Sequence, residues 1–190
     1  MVQYHNELCG VLPNQPPAGK LQYYVELNKD GKSYFIAKEE PIVIRFRGDV
    51  PVFVVIPHVL LIFMAMFFST LSGLYVIFKR NNYGKYVKWA FFTLLAGGFV
   101  FGPLMQWYAF GEFWTGIPFG FDLTDNKTLF VFVFWLWAFL ANRKKQRPVP
   151  VLIACVMTII IFSIPHSLMG SELDYSTNKV KTGMIIMRNL

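Results

Sequence analysis

Residues 56–78 read IPHVLLIFMAMFFSTLSGLYVIF, a run of 23 residues without a single charge. A helix needs ~20 apolar residues to cross the ~30 Å of hydrocarbon in a bilayer, so this stretch reads as a membrane span. Three further apolar stretches follow, at about 87–110, 128–142 and 149–168. The second has one lysine at its edge. The third, TLFVFVFWLWAFLAN, holds only 15 uncharged residues, and it spans only if Asn126, Lys127, Arg143 and Lys144 snorkel or lie at the interface. The 190-residue chain is 55% hydrophobic and 18% aromatic. These features predict an all-α membrane protein: a four-transmembrane-helix bundle over 51–170, a small β-rich extracytoplasmic cap over 1–50, and an extracytoplasmic tail over 171–190.

The net charge of +7 is unevenly placed. Lys79, Arg80, Lys85 and Lys88 occupy one short loop, and Arg143, Lys144, Lys145 and Arg147 another, with no acid in either. The first 50 residues balance six bases against six acids, and the 111–127 loop has three acids against Lys127. This asymmetry is a topology signal rather than a nucleic-acid patch. It puts the two basic loops in the cytoplasm, and both termini and the 111–127 loop outside. The first twenty residues lack the basic and apolar regions of a cleavable leader, so the first span is expected to carry the N-terminal segment across. Cys9 and Cys155 fall on different sides and do not pair. No nucleotide-binding loop, nucleophile elbow or zinc motif occurs in the chain.

Outside the spans, KLQYYVEL (20–27) alternates apolar and polar residues. NKDGK (28–32) carries the Asp-Gly signal of a tight hairpin. SYFIA and PIVIRFR read as the strands that follow, while 9–19, rich in proline and glycine, reads as loop. So small a module has too little core of its own, and it is expected to rest on the helix ends or on a partner. The 111–127 loop, GEFWTGIPFGFDLTDNK, supports two readings. One is an interfacial aromatic belt with a helix N-cap at Asp122, Thr124 or Asp125. The other is a re-entrant lid in which Glu112 or Asp122 carries a proton or binds substrate.

The tripeptide Ile-Pro-His occurs at 56–58 and again at 164–166. The first span runs inward and the last outward, so topology brings His58 and His166 to the same face. Pro57 is expected in the first helical turn, where its missing N–H costs little. Pro165 is expected to bend the last span. From His58 the same face continues through Ile62, Ala65, Ser69 and Gly73, a small-residue stripe typical of helix packing. Neutral imidazole ligates haem iron and other metals, and two facing imidazoles can fill both axial positions of a b-type haem. Gly97, Gly98 and Gly102 would offer room, Arg45 and Arg47 would pair with propionates, and Trp107, Tyr108 and Trp114 would wall the pocket. Copper held with Met64, Met105 or Met169 is the alternative metal. Structural histidines, packing glycines and headgroup-anchoring arginines are the plainer reading of the same residues.

A histidine ending the fourth span, followed by Gly170, Leu173 and Tyr175, together with His58 opening the first, resembles predicted four-helix membrane cytochrome b-like proteins. The resemblance covers about twenty residues plus topology. The His–Gly spacing departs from that pattern by one residue, and the extra histidines of two-haem members are absent. It implies at most one haem, held on the outer side. The resulting expectation is an electron-transfer subunit with haem b on His58 and His166, exchanging electrons with quinol near Glu112 or Asp122. The alternative is a non-catalytic accessory or assembly subunit of a larger membrane complex, whose cap recognises a partner. A transporter is disfavoured, because Gln106 and a few hydroxyls are nearly all that interrupts the spans.

Overall fold

The computed structural model describes residues 2–4, 7–165, 172–177 and 179–181. The charge-free run forms one helix of 26 residues, α1 (Val52–Ile77). It starts four residues before the Ile-Pro-His triplet, so Pro57 sits in the second turn rather than the first. Its ring removes a donor to the Phe53 carbonyl near the helix start.

After a short basic turn the chain returns through α2 (Tyr83–Ala96), a π-helical turn (Gly97–Phe101) and α3 (Gly102–Phe110), together one 28-residue rod. Two local features favour the widened turn. Gly97 and Gly98 have no Cβ to crowd it, and Pro103 would collide with the carbonyl four residues back in a regular α-helix. The rod ends at Gly111, whose φ of 82° supplies the left-handed cap that glycine takes readily.

The third rod, α4 (Leu123–Ala141), begins five residues earlier than its apolar run suggests. The Asp122 side chain caps it by accepting from the Thr124 and Asp125 amides. The last rod, α5 (Pro148–Ser163), has 16 residues and a length of about 24 Å. It stops where Ile164 turns extended (ψ 124°) ahead of Pro165, so Pro165 ends this helix rather than bending it. Among the described residues, three helices are long and apolar enough to cross a membrane: α1, the α2–α3 rod and α4, with α5 a shorter apolar helix. The chain is thus a mostly helical membrane protein with a small β segment. The shortest apolar rod is the fourth, whereas the apolar pattern singled out the third as marginal.

The rods alternate in direction, and α1 packs on α2, α2 on α4, α4 on α5, and α5 back on α1. Ala65, Ser69 and Gly73 are buried on the inward stripe of α1. A Cβ at Gly73 would lie 2.6 Å from Cys155 Sγ on α5, so glycine sets this approach. The α2–α4 seam is aromatic: Phe91 stacks on Phe139 at 4.6 Å and on Phe132 at 5.5 Å, and Phe99 links Phe132 to Trp114. Trp135 donates to Thr158, which donates to the Ala154 carbonyl, so α4 and α5 share a satisfied polar link in the apolar core.

At one end, hereafter the cap end, the N-terminal segment forms strand pairs. Besides β1 (Val2–Tyr4) with β2 (Glu7–Cys9), β3 (Lys20–Tyr23) pairs with β6 (Ile42–Arg45). Between them β4 (Val25–Lys29) and β5 (Lys32–Ile36) form the hairpin foreseen at Asp30-Gly31, both turn residues having positive φ. The C-terminal pair β7 (Glu172–Asp174) and β8 (Lys179–Lys181) returns to this module. Leu173 N donates to the Ala18 carbonyl, and Tyr175 Oη bonds Gln15 and Lys20. Gly48 ties the cap to the bundle through its amide on the Ala109 carbonyl. The opposite end carries both basic loops. Cys9 and Cys155 are free, one exposed and one buried.

Candidate functional site

His58 lies half-buried on α1 against the π-turn. Its Nδ1 is 3.0 Å from the Gly97 carbonyl oxygen. A carbonyl only accepts, so Nδ1 carries the proton and the neutral ring's lone pair is on Nε2. Gly97 O also accepts from Gly102 N, the bond that closes the π-turn. The widened turn and the histidine are therefore one unit. A backbone carbonyl on one imidazole nitrogen is the arrangement that orients metal-binding histidines, and π-bulges concentrate at functional sites.

The neighbouring glycines serve helix approach. A Cβ on Gly97 would meet Leu61 Cβ at 3.0 Å and the Ile62 backbone at 3.2 Å, and one on Gly98 would meet the Thr128 methyl at 2.6 Å. A Cβ on Gly102 would lie 3.8 Å from His58 Cε1. The space at Gly97 and Gly98 is thus taken by α1 and α4. Arg45 and Arg47 are exposed on the cap, and Trp107 stacks on Phe113 at the protein surface. Met64 is likewise exposed. His166 and Met169 lie outside the described residues. Among the described residues, no three His, Cys, Asp or Glu side chains gather as a metal site.

The 111–127 loop is the other polar concentration. Glu112 is exposed, whereas Asp122 is buried as the α4 cap. The centre of the cluster is Asp125, only 9% exposed. Its carboxylate accepts from Thr115 N at 2.6 Å and from Thr115 Oγ1 at 3.1 Å, and Gln106 on α3 donates to the same threonine hydroxyl. Asn126 Oδ1 takes the Ile117 amide at 2.8 Å. Gly116 is required here, since a Cβ would lie 2.7 Å from that of Asp125. The loop thus folds back onto the start of α4 and is latched there.

Two residues along, Lys127 is 5% exposed and its Nζ donates to the Ile164 carbonyl at 2.6 Å and the Pro165 carbonyl at 3.2 Å. Instead of snorkelling, this lysine crosses to α5 and supplies the donors its C-terminal end lacks. Asp125 and Lys127 are the polar residues that sequence reading undervalued. Their signal was three consecutive polar residues, Asp125-Asn126-Lys127, opening an apolar helix.

Searches against protein-family models, curated proteins and solved structures found no match to this chain.

Proposed function

We propose that the protein is a non-catalytic subunit of a larger membrane complex, with its four rods in the bilayer, the basic loops cytoplasmic and the strand-rich cap outside. The observation that carries this reading is the β4–β5 hairpin. Its strand β5 is exposed along its whole length, including Tyr34, Phe35 and Ile36. A two-stranded hairpin is marginal alone in water, and one showing apolar side chains on both faces calls for a covering surface. The polar residues near the bundle are consistent with a scaffold: Asp122, Asp125 and Lys127 are spent on capping and latching. A photo-crosslinking residue in place of Phe35, in cells, should give one discrete protein adduct that disappears with Tyr34→Ser and Ile36→Ser. Crosslinking to lipid alone would remove the reading.

His58 supports a second reading, a subunit carrying one haem b. Its Nδ1 is held and its Nε2 is the ligand atom, so it suits one axial position, with His166 the partner that the resemblance implies. The described residues fit only in part, because the space at Gly97 and Gly98, two of the three glycines that were to provide room, is filled by Leu61, Ile62 and Thr128. A bound haem would supply one-electron chemistry. Quinol exchange would then fall to the exposed Glu112, since Asp122 is engaged as a helix cap. An absorption spectrum of protein expressed with ample haem decides. A Soret band abolished by His58→Ala supports haem, and a colourless protein removes it.

A further inference from the structure

The basic end holds a cavity that neither reading uses. Its walls are Gly84, Val87 and Lys88 from the first turns of α2, Phe139 from the last turn of α4, and Asn142 and Arg143 from the turn that follows α4. The α2 set follows the i, i+3, i+4 spacing of one helix face. The cavity holds about 200 Å³, less than the ~300 Å³ at which drug-sized ligand pockets begin, so it suits a small headgroup rather than a nucleotide. Val87 is buried, and Phe139 stacks face to face on Phe91, so the floor is apolar and rigid. The mouth is cationic: Lys88 and Arg143 are exposed, and neither basic loop contains an acid to neutralise them.

Asn142 fixes the mouth. Its Nδ2 donates to the Ala138 and Arg147 carbonyls, and its Oδ1 accepts the Arg147 amide at 2.7 Å. This closes the turn that carries Arg143. On the bilayer side the seam continues to Phe92, which is exposed and meets Phe139 edge-on at 5.6 Å.

We propose that this cavity binds a phosphate group through Lys88 and Arg143, with an anionic phospholipid as the source that the apolar floor and the adjoining Phe92 favour. Basic pockets between spanning helices recognise such headgroups. Arginine can engage phosphate in a bidentate manner, while lysine adds a point charge. The inference is independent of the partner and haem readings.

The test uses the full chain in detergent micelles containing equal phosphatidylglycerol and phosphatidylcholine, with retained lipid counted by native mass spectrometry. Wild type should retain phosphatidylglycerol preferentially. The Lys88→Gln/Arg143→Gln variant should lose that preference by about thirtyfold, given roughly 1 kcal/mol for each of the two basic residues. Lys144→Gln/Lys145→Gln removes equal charge from the same end at exposed residues that do not line the cavity, and should stay within about twofold of wild type. Equal losses in the two variants, or no preference in wild type, overturn the site. Inorganic phosphate is then added, with chloride at matched ionic strength as control. Retention of phosphatidylglycerol assigns the site to lipid. Displacement by phosphate but not by chloride keeps the site and assigns it to a free anion.

Discussion

The two ends of the helical rods solve the same problem in opposite ways. At the cap end, polar groups close on one another: Asp125 takes the Thr115 amide, Lys127 takes the Ile164 and Pro165 carbonyls, and Tyr175 spans Gln15 and Lys20. At the basic end, the cations are exposed around cavities lined by Lys88 and Arg143 and by Lys79 and Arg80. At the cap end the chain itself satisfies these polar groups. At the basic end the cations face solvent. Buried polar groups cost stability when their partners are removed, whereas exposed charges cost little. Stability should therefore respond to substitutions at the cap end, and ligand retention to those at the basic end.

The largest effect is expected at Asp125. Replacement by alanine leaves the Thr115 amide and hydroxyl buried without this acceptor, at a cost of about 3 kcal/mol. Unfolding of the purified protein in detergent measures it, and limited proteolysis should newly cut within 111–122. Asp125→Asn keeps an acceptor oxygen and should lose only about 1 kcal/mol. A loss below ~1 kcal/mol for the alanine variant would mean that the latch does not hold this end.

Gly48→Ala comes next. A methyl there would overlap the Tyr108 carbonyl oxygen, which is backbone and cannot rotate away. The cap must then lift from α3, costing about 2 kcal/mol, with loss of hydrogen-exchange protection at the residue 48 amide that now donates to Ala109. Tyr175→Phe tests the more exposed clasp and should cost about 1 kcal/mol. Its readout is faster exchange at the Lys20 amide, which lies 3.2 Å from the tyrosine hydroxyl. Unchanged exchange there would mean that the tyrosine hydroxyl does not hold this strand.

This gradient follows what the sequence could disclose. The hairpin at Asp30-Gly31 and the helix at 52–77 are written in local pattern, a turn dipeptide and an uninterrupted apolar run, and both are legible. The buried stripe of Ala65, Ser69 and Gly73 is legible for the same reason. The cap at Asp122 is legible too, since it stands among the candidate N-caps, but the first turn behind it is not, because Asp125 and Lys127 look like charges that should end a span. Their partners, Thr115 and Ile164, lie 10 and 37 positions away, and no periodicity encodes such pairs. The π-turn hides in the same way. Gly97 and Gly98 read as room for a ligand, and only the approach of α1 and α4 shows that Leu61, Ile62 and Thr128 use the space. For Pro57 and Pro165 the missing information was where each helix begins and ends.

The smallest effect sharpens the comparison most. Lys88→Gln/Arg143→Gln removes two cations that face solvent, in basic segments (79–88 and 143–147) without acids. Their loss should move the unfolding free energy by less than ~0.5 kcal/mol, and relief of repulsion among eight nearby bases should push it slightly upward. Raising the salt concentration should erase even that change, because screening already weakens the repulsion in wild type. A large destabilisation by this pair in lipid-free detergent would show these cations holding the fold, as Lys127 does at the other end. A destabilisation seen only when phosphatidylglycerol is present would instead follow from lost ligand binding, since a lipid that binds the native state stabilises it by mass action.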